Sequence, residues 1–267
     1  MCGYYSKLAT CQFIIQGFLS LNLADQLFFL GMPRFSGVGI FGVGIDLQSF
    51  SDKGWATLSP FVTSSEMERA RRFHRHQDGT NHLAGRGLVR ILLAKGNGIV
   101  LEEFQTNSWG KPVLPECGFE FSISHAGNVV WVALCRSAAV GIDVEELNKI
   151  IAPHDLCKVF HPLECAEIQG LPEDEAKIAF LRCWTRKEAV VKALGQGLSA
   201  TLDNFRVRTD EANKDWLIER PVCASANWTC ADLQFGKGYQ VSLAAMAPQM
   251  PVTSWFVPAG TLTSFYG

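Results

Sequence analysis

Asp143, Glu145 and Glu188 are the residues whose types and spacing point most directly to chemistry. In the stretch AVGIDVEEL, apolar and polar residues alternate, so a strand would turn Asp143 and Glu145 to the same face. Two carboxylates side by side repel each other unless a cation lies between them. With Glu188 as a third oxygen ligand they would suit Mg²⁺, which usually shares its coordination sphere with a phosphate. An ordinary polar strand end is the alternative interpretation of Asp143 and Glu145.

Glu188 belongs to a predicted helix in the stretch FLRCWTRKEAVVKALGQGL. Phe180, Trp184, Glu188 and Lys192 recur every four residues, which places them in one row on the helix surface. Gly195 predicts a left-handed turn at the C-terminal end. Taken alone, the row also fits an amphipathic helix with a solvated Glu/Lys pair.

Composition limits the classes of function. The chain has 267 residues, 48% of them hydrophobic, enough for one large domain or two small ones. A formal charge of −2 gives no global attraction to nucleic acid or to an anionic membrane. The nine cysteines contain no C-x-x-C pair, which favours reduced thiols in a cytosolic protein over zinc spacing or a disulfide framework.

Residues 1–38 differ in character from the rest of the chain. Polar residues interrupt the apolar run there, so we interpret the segment as an extension or an amphipathic helix. A secretion signal or membrane anchor is the alternative. Gly37, Gly39 and Gly42 spell G-x-G-x-x-G, but a strand-like stretch follows the glycines instead of preceding them, which argues against a dinucleotide site.

The middle of the chain alternates predicted helices and strands. Helices are predicted from Ser64 and over 81–95, with an arginine- and histidine-rich stretch between them that fits either a solvated face or a phosphate-binding patch. A hairpin with its turn at 125–128 is predicted to continue as a meander into the strand of Asp143.

A short repeat predicts two related halves. Val43–Gln48 reads VGIDLQ and Val140–Glu145 reads VGIDVE, and each is followed by a short helix and a longer one. We therefore expect an α+β fold: two similar α/β half-domains, related by a pseudo-twofold axis, each an antiparallel sheet with packed helices. The predicted boundaries are 1–38 for the extension, 39–138 and 139–258 for the halves, and 259–267 for a tail.

The motifs together resemble the surfactin-synthetase type of the 4′-phosphopantetheinyl transferase superfamily. The resemblance covers about residues 40–258, and its most specific parts are the linked acidic and W-x-x-K-E motifs. The matching stretches are Arg71–Phe73, Gly85–Arg90, Gly110–Pro112, Ser122–His125, Val140–Glu145, Phe160–Glu164 and Trp184–Ala189 with Lys192 and Gly195-x-Gly197-Leu198.

The resemblance implies transfer of the phosphopantetheine arm of coenzyme A to a serine of an apo acyl or peptidyl carrier protein. Such carriers serve fatty-acid, polyketide or nonribosomal-peptide synthesis. Asp143, Glu145 and Glu188 would hold Mg²⁺, or Mn²⁺, on the pyrophosphate. Glu188 would also be the catalytic base, and Lys192 would neutralise or protonate the departing phosphate.

The resemblance also implies the positions that bind coenzyme A. Lys111, Ser124 and His125 match such positions, and Lys192 contributes there as well. Glu66, Asn81 and His82 depart from the pattern of some relatives, and Arg69, Arg75, His76 and Arg86 are nearby substitutes, of which we select Arg75 and Arg86.

The remaining expectations concern partners and location. We expect a cytoplasmic monomer that binds neither nucleic acid nor membrane. The alternative to the enzyme is a non-catalytic module of the same fold that binds carrier proteins or nucleotides. A metal-dependent nucleotide hydrolase would need a phosphate-binding loop or metal-binding histidines, which the sequence lacks.

Overall fold

The computed structural model describes most of the chain. The described residues are 24, 27, 31–33, 35, 37–48, 50, 54–94, 101–195, 197, 201–222, 227–236 and 238–261. The predicted extension and tail lie largely outside these residues. Within the described part of the chain, no helix is long and apolar enough to cross a membrane.

Six α-helices and eleven β-strands are found in the described residues. The helices are α1 Trp55–Leu58, α2 Ser64–Ala70, α3 His76–Leu93, α4 Pro153–Leu156, α5 Pro162–Gln169 and α6 Glu173–Leu194. The strands are β1 Ile40–Asp46, β2 Gln105–Thr106, β3 Pro112–Val113, β4 Glu120–Ala126, β5 Val129–Cys135, β6 Val140–Glu146, β7 Arg206–Val207, β8 Leu217–Glu219, β9 Thr229–Asp232, β10 Tyr239–Ala245 and β11 Val252–Val257.

The sheets are antiparallel where their register is defined. A four-stranded sheet has the order β11-β1-β5-β4, and a three-stranded sheet has the order β6-β10-β9. Short two-stranded ladders join β2 to β3 and β7 to β8. The predicted α+β fold class, with antiparallel sheets and packed helices, is confirmed.

The predicted meander is wrong, although its hairpin is right. β4 and β5 pair from Glu120 opposite Cys135 to Ala126 opposite Val129, so His125 lies in β4 and not in the turn. β6 pairs with β10 in the other sheet. Two serine side chains of β4 connect the two sheets instead. Ser122 Oγ accepts the Ile142 N–H at 3.1 Å, and Ser124 Oγ accepts the Val144 N–H at 3.4 Å.

Two apolar clusters enclose the three-stranded sheet. Val140, Ile142 and Val144 of β6 turn toward Trp131 of the four-stranded sheet. The opposite face packs under α6, where Ala189 and Val190 join a second cluster. Strand alternation puts Gly141 and Asp143 on that face, so both sides of β6 are covered and α6 lies directly over the acidic residues.

The start and end of α6 follow from its sequence. Pro172 precedes it, and Glu173, Asp174 and Glu175 occupy the first turn, where negative charge is favourable. Gly195 ends the helix with a φ of 69°, and its N–H donates to Val191 O. The predicted left-handed glycine turn is therefore confirmed.

The basic stretch 71–75 separates two helices. α2 ends at Ala70, and α3 begins at His76, five residues before the predicted start at 81. Thr63 caps α2 in a reciprocal pair with Glu66. Glu66 is buried and forms an ion pair with Arg90 of α3 at 2.8 Å, which joins the two helices.

The described residues form two compact units. One contains the described part of Asp46–Leu101, with α1, α2 and α3. The other consists of Phe35–Ile45 and the described part of Glu102–Phe256, and contains nearly all of the sheet structure. The half-domain boundaries at 38/39, 138/139 and 258/259 follow the sequence repeat and stay a prediction.

Candidate functional site

A glycine lets β6 and α6 approach each other closely. A Cβ atom at Gly141 would lie 2.0 Å from Ala189 O and 2.5 Å from Ala193 N. The backbone of β6 therefore packs directly on the backbone of α6. This close approach sets Asp143, two residues along the strand, beside the helix positions of Glu188 and Lys192.

The polar end of α6 continues an aromatic row. Phe180 and Trp184 pack on each other and on Phe160. Glu188 and Lys192 extend the same row by two turns and line a cavity of about 230 Å³. In the predicted row of residues, Phe180 and Trp184 are therefore fixed by apolar packing, whereas Glu188 and Lys192 are open to the cavity.

Asp143 is held on one side only. Its Oδ1 accepts from Lys192 Nζ at 2.6 Å and from Ser124 Oγ at 2.8 Å. Its Oδ2 is buried and has no hydrogen-bond partner in the described structure. A buried carboxylate oxygen without a partner costs free energy, so this atom is suited to a cation or a ligand donor.

The other two carboxylates have raised pKa values. Burial raises the pKa of Glu188, and the charges of Asp143 and Glu145 raise it further, while Lys192 lowers it. Burial also raises the pKa of Glu145, and Asp143 adds to this, whereas an ion pair with Lys149 opposes it. The charges of the three predicted ligands therefore influence one another's pKa values.

The donor chemistry of this acidic cluster, Asp143, Glu145 and Glu188, fits a hard divalent ion. Among the described residues, no three His, Cys, Asp or Glu side chains are already arranged as a metal site. Lys192 and Lys149 neutralise Asp143 and Glu145 instead. The unpartnered Oδ2 of Asp143 and the mutual repulsion of the carboxylates are the observations that match Mg²⁺.

The predicted Trp-Gly-Lys-Pro turn forms one wall of the cavity. Asn107 Oδ1 accepts the N–H groups of Trp109 and Lys111, and Asn107 Nδ2 donates to Gly195 O at the end of α6. Lys111 is largely buried, which lowers its pKa, and its Nζ donates to Val140 O at 3.2 Å. The turn is thereby attached to both elements of the acidic cluster.

The other residues predicted to bind coenzyme A do not line this cavity. Ser124 is buried beside Asp143, whereas His125, the next residue of β4, is exposed and on the opposite face. In the first unit, Arg86 Nε lies 3.4 Å from Glu66 Oε1 and its Nη1 lies 3.0 Å from His82 Nδ1. Arg75 is exposed at the start of α3. Roles for these residues stay predictions.

Sequence reasoning missed the charged partners of α6. Arg186 and Lys187 are fully buried, paired with Asp232 and Glu164 respectively. The signal was available: a helix whose other residues are mostly apolar carries two adjacent cations, and a buried cation needs a paired anion.

Comparisons with known proteins point to one family. The family model described as the 4′-phosphopantetheinyl transferase superfamily matches residues 139–244, and a model described as 4′-phosphopantetheinyl transferase, N-terminal, matches residues 49–137. The 4′-phosphopantetheinyl transferase Sfp of Bacillus subtilis is 29% identical over 217 residues, covering 79% of this chain and 94% of that protein. The 4′-phosphopantetheinyl transferase psf-1 of Bacillus pumilus is 33% identical over 177 residues, or 62% and 74%. The L-aminoadipate-semialdehyde dehydrogenase-phosphopantetheinyl transferase of Mus musculus is 28% identical over 200 residues, or 69% and 64%.

Proposed function

This chain belongs to the 4′-phosphopantetheinyl transferase superfamily, and from that premise we propose that it transfers phosphopantetheine from coenzyme A to a serine of an apo acyl or peptidyl carrier protein. The products are the holo-carrier and adenosine 3′,5′-bisphosphate. The observation that carries the proposal is that Glu188 and Lys192 line one cavity, while Lys192 pairs with Asp143 and the charges of Asp143 and Glu145 act on Glu188.

The reaction exchanges one phosphorus–oxygen bond for another. The serine Oγ forms a bond to the phosphorus nearer the pantetheine, and the bond from that phosphorus to the oxygen of the departing nucleotide breaks. The serine loses its proton in the process. Phosphoryl-type transfer depends mainly on positioning and charge neutralisation, which preorganised charged groups provide.

We assign the role of base to Glu188. A serine hydroxyl is a poor nucleophile unless a base lies beside it. Because burial and two neighbouring carboxylates raise the pKa of Glu188, its carboxylate accepts a proton more readily than an exposed one. Glu188 takes the serine proton directly or through one water.

Lys192 is the proposed partner of the departing phosphate. Its ammonium has three N–H donors, and the described contacts direct two of them to Asp143 and Ser124. A phosphate oxygen is a suitable acceptor for the third. The positive charge of Lys192 would neutralise the departing phosphate, or Lys192 would donate a proton to it.

Asp143, Glu145 and Glu188 would hold Mg²⁺, with Mn²⁺ as the alternative. When bound, the ion neutralises pyrophosphate charge and orients the group for transfer. The partnerless Oδ2 of Asp143 supports this assignment. Lys111, Ser124, His125, Arg75 and Arg86 are the proposed contacts to coenzyme A, together with Lys192.

The decisive test is incubation with coenzyme A, Mg²⁺ and a panel of fatty-acid, polyketide and peptide-synthetase apo-carriers. Intact mass spectrometry should show a gain of one phosphopantetheine on at least one carrier. A carrier whose acceptor serine is replaced by alanine is the matched control. Binding of coenzyme A or carrier without any mass gain would favour the non-catalytic module instead.

A further inference from the structure

Three consecutive charged residues of α6 point in three directions. Successive helix residues are separated by about 100°, so Arg186, Lys187 and Glu188 diverge around the axis. Glu188 lines the cavity, whereas Arg186 and Lys187 are both 0% exposed. The two cations next to the proposed base are therefore part of the interior.

Arg186 is saturated with acceptors on the β9 side of the helix. Its Nη2 lies 2.6 Å from Asp232 Oδ2, and its Nε lies 3.2 Å from the same oxygen. The remaining N–H groups donate to the backbone carbonyls of Arg208 at 2.5 Å, Asp210 at 3.0 Å and Ala212 at 2.6 Å. All five donors of the guanidinium are thus engaged, which allows the side chain little movement.

Lys187 is equally saturated in another direction. Its Nζ donates to Leu202 O and Phe205 O, both at 2.7 Å, and lies 2.8 Å from Glu164 Oε2. Glu164 in turn accepts the N–H groups of His161 at 2.9 Å and Val207 at 2.6 Å. The lysine joins α6 to α5 and to the segment that leads into β7.

A polar row across the sheet fixes the position of α6 along its axis. In the strand register, Asp143 of β6 lies opposite Ser242 of β10, which lies opposite Asp232 of β9. Ser242 Oγ is 3.2 Å from Thr185 Oγ1 and 2.8 Å from Asp232 Oδ1. With Lys192 on Asp143, the row contacts two turns of the helix, so rotation or translation of α6 breaks several of these contacts at once.

We infer that Asp232 and Glu164 are positioning residues for the transfer reaction, which act through Arg186 and Lys187 by fixing the rotation of α6 so that Glu188 faces Asp143. The inference rests on the proposed function. Neither residue is among those that line the cavity at Glu188. Buried ion pairs contribute little net stability compared with apolar packing, and their best-attested use is to select one register among several.

The test is Asp232→Asn, with Asp155→Asn as the matched control. Asp232→Asn keeps the shape of the side chain and removes its charge, while the three backbone carbonyls still hold Arg186. Asp155 forms an exposed pair with Lys158 and does not contact Arg186 or Lys187 in the described contacts, so its change should have no effect on transfer. Both proteins are assayed well below their melting temperatures, where the whole sample is folded.

We expect kcat of Asp232→Asn to fall roughly 10- to 100-fold, the effect of misplacing a reacting group by about 1 Å. The KM for the carrier should stay within about twofold of wild type. In the same protein without coenzyme A or metal, amide hydrogen exchange of the α6 segment 185–192 should accelerate. A purely structural role would lower the melting temperature and leave kcat unchanged, and that result would overturn the inference.

A second variant covers the case in which Asp232→Asn does not fold. Arg186→Lys retains the buried positive charge but cannot reproduce the planar five-donor pattern, and the same loss of kcat is expected. Wild-type kcat in the folded Arg186→Lys protein would refute the inference. The proposed function fails separately, and only if the wild-type protein itself modifies no carrier.

Discussion

Replacing Gly141 by alanine tests whether direct backbone packing of β6 on α6 creates the site. The new Cβ would lie 2.0 Å from Ala189 O, about 1.4 Å short of the 3.4 Å at which ordinary van der Waals contact begins. Ala193 N, at 2.5 Å, blocks movement toward the next turn. Both obstacles are backbone atoms, so no side-chain rotation relieves the clash, and α6 must move away from β6.

Gly141→Ala should lower both the stability of the protein and its transfer rate. Overpacking of this kind destabilises by about 1–3 kcal/mol, and each kcal/mol corresponds to roughly 2–4 °C in Tm for a chain of this order of size. A shift of about 1 Å between Asp143 and the side chains of Glu188 and Lys192 should lower kcat about 100-fold. The loss of activity should therefore exceed what unfolding explains.

Thermal unfolding and carrier modification, measured on the same preparation, separate the loss of stability from the loss of activity. Gly170→Ala is the matched control, because Gly170 is exposed with a φ of −79° and its Cβ would meet backbone oxygens only at 3.5 Å. That change should be neutral or slightly stabilising. If Gly141→Ala behaved like Gly170→Ala in both assays, the packing account of the site would be wrong.

The remaining predictions concern individual charges of the cluster and its cavity. Glu188→Gln should fold and lose about 10²- to 10⁴-fold in transfer rate, followed by carrier mass; normal turnover would remove Glu188 as base. Because the pKa of Glu188 is raised in the folded state by burial and then by Asp143, wild-type stability falls as pH rises from the ordinary carboxyl range through the raised value. Without divalent ions, Glu188→Gln should therefore have a higher Tm than wild type at pH values above the raised pKa of Glu188, and an equal Tm below the ordinary carboxyl range; equal Tm values of the two proteins at every pH would contradict the direction of this pKa shift. Asp143→Asn should raise the Mg²⁺ concentration needed for half-maximal rate, and an unchanged metal titration would argue against Asp143 as a ligand. Lys111→Met should raise the KM for coenzyme A about tenfold, the worth of one charged hydrogen bond, and an unchanged KM would exclude that contact.

Local patterns in the sequence were enough to predict the elements of the site. The four-residue row from Phe180 to Lys192 and the glycine at 195 predict α6, and alternation predicts that Asp143 and Glu145 share a face of β6. These features depend only on neighbouring residues. The structure confirms the helix, its end and the strand.

Partnership between distant segments could not be predicted in the same way. Alternation says which side of β6 is apolar but not which strand pairs with it, and its partner β10 begins almost a hundred residues later. Alternation places Ser122 and Ser124 on one face of β4, but nothing in the sequence indicates that this face contacts β6. The meander was the simplest local interpretation, and it was wrong for this reason.

The partners of buried charges were the other limit of prediction from sequence. The apolar character of the helix could have indicated that Arg186 and Lys187 are buried, but not which anions and carbonyls pair with them. Their burial depends on Asp232, on Glu164 and on backbone carbonyls of the 202–212 segment, which come from three different parts of the chain. Only the tertiary structure brings those acceptors together.

The same arrangement explains why the chain maintains buried ion pairs beside an acidic cluster. Burial, and after it the charges of Asp143 and Glu145, raise the pKa of Glu188, so repulsion among the three carboxylates favours rotation of α6 away from β6 when no cation is bound. Lys192 offsets part of this repulsion through Asp143. The saturated contacts of Arg186 and Lys187 oppose the rest, since rotation would separate both cations from their partners in the interior. In the proposed function, the repulsion among the carboxylates favours a bound metal ion, and the buried ion pairs of α6 keep Glu188 in place beside it.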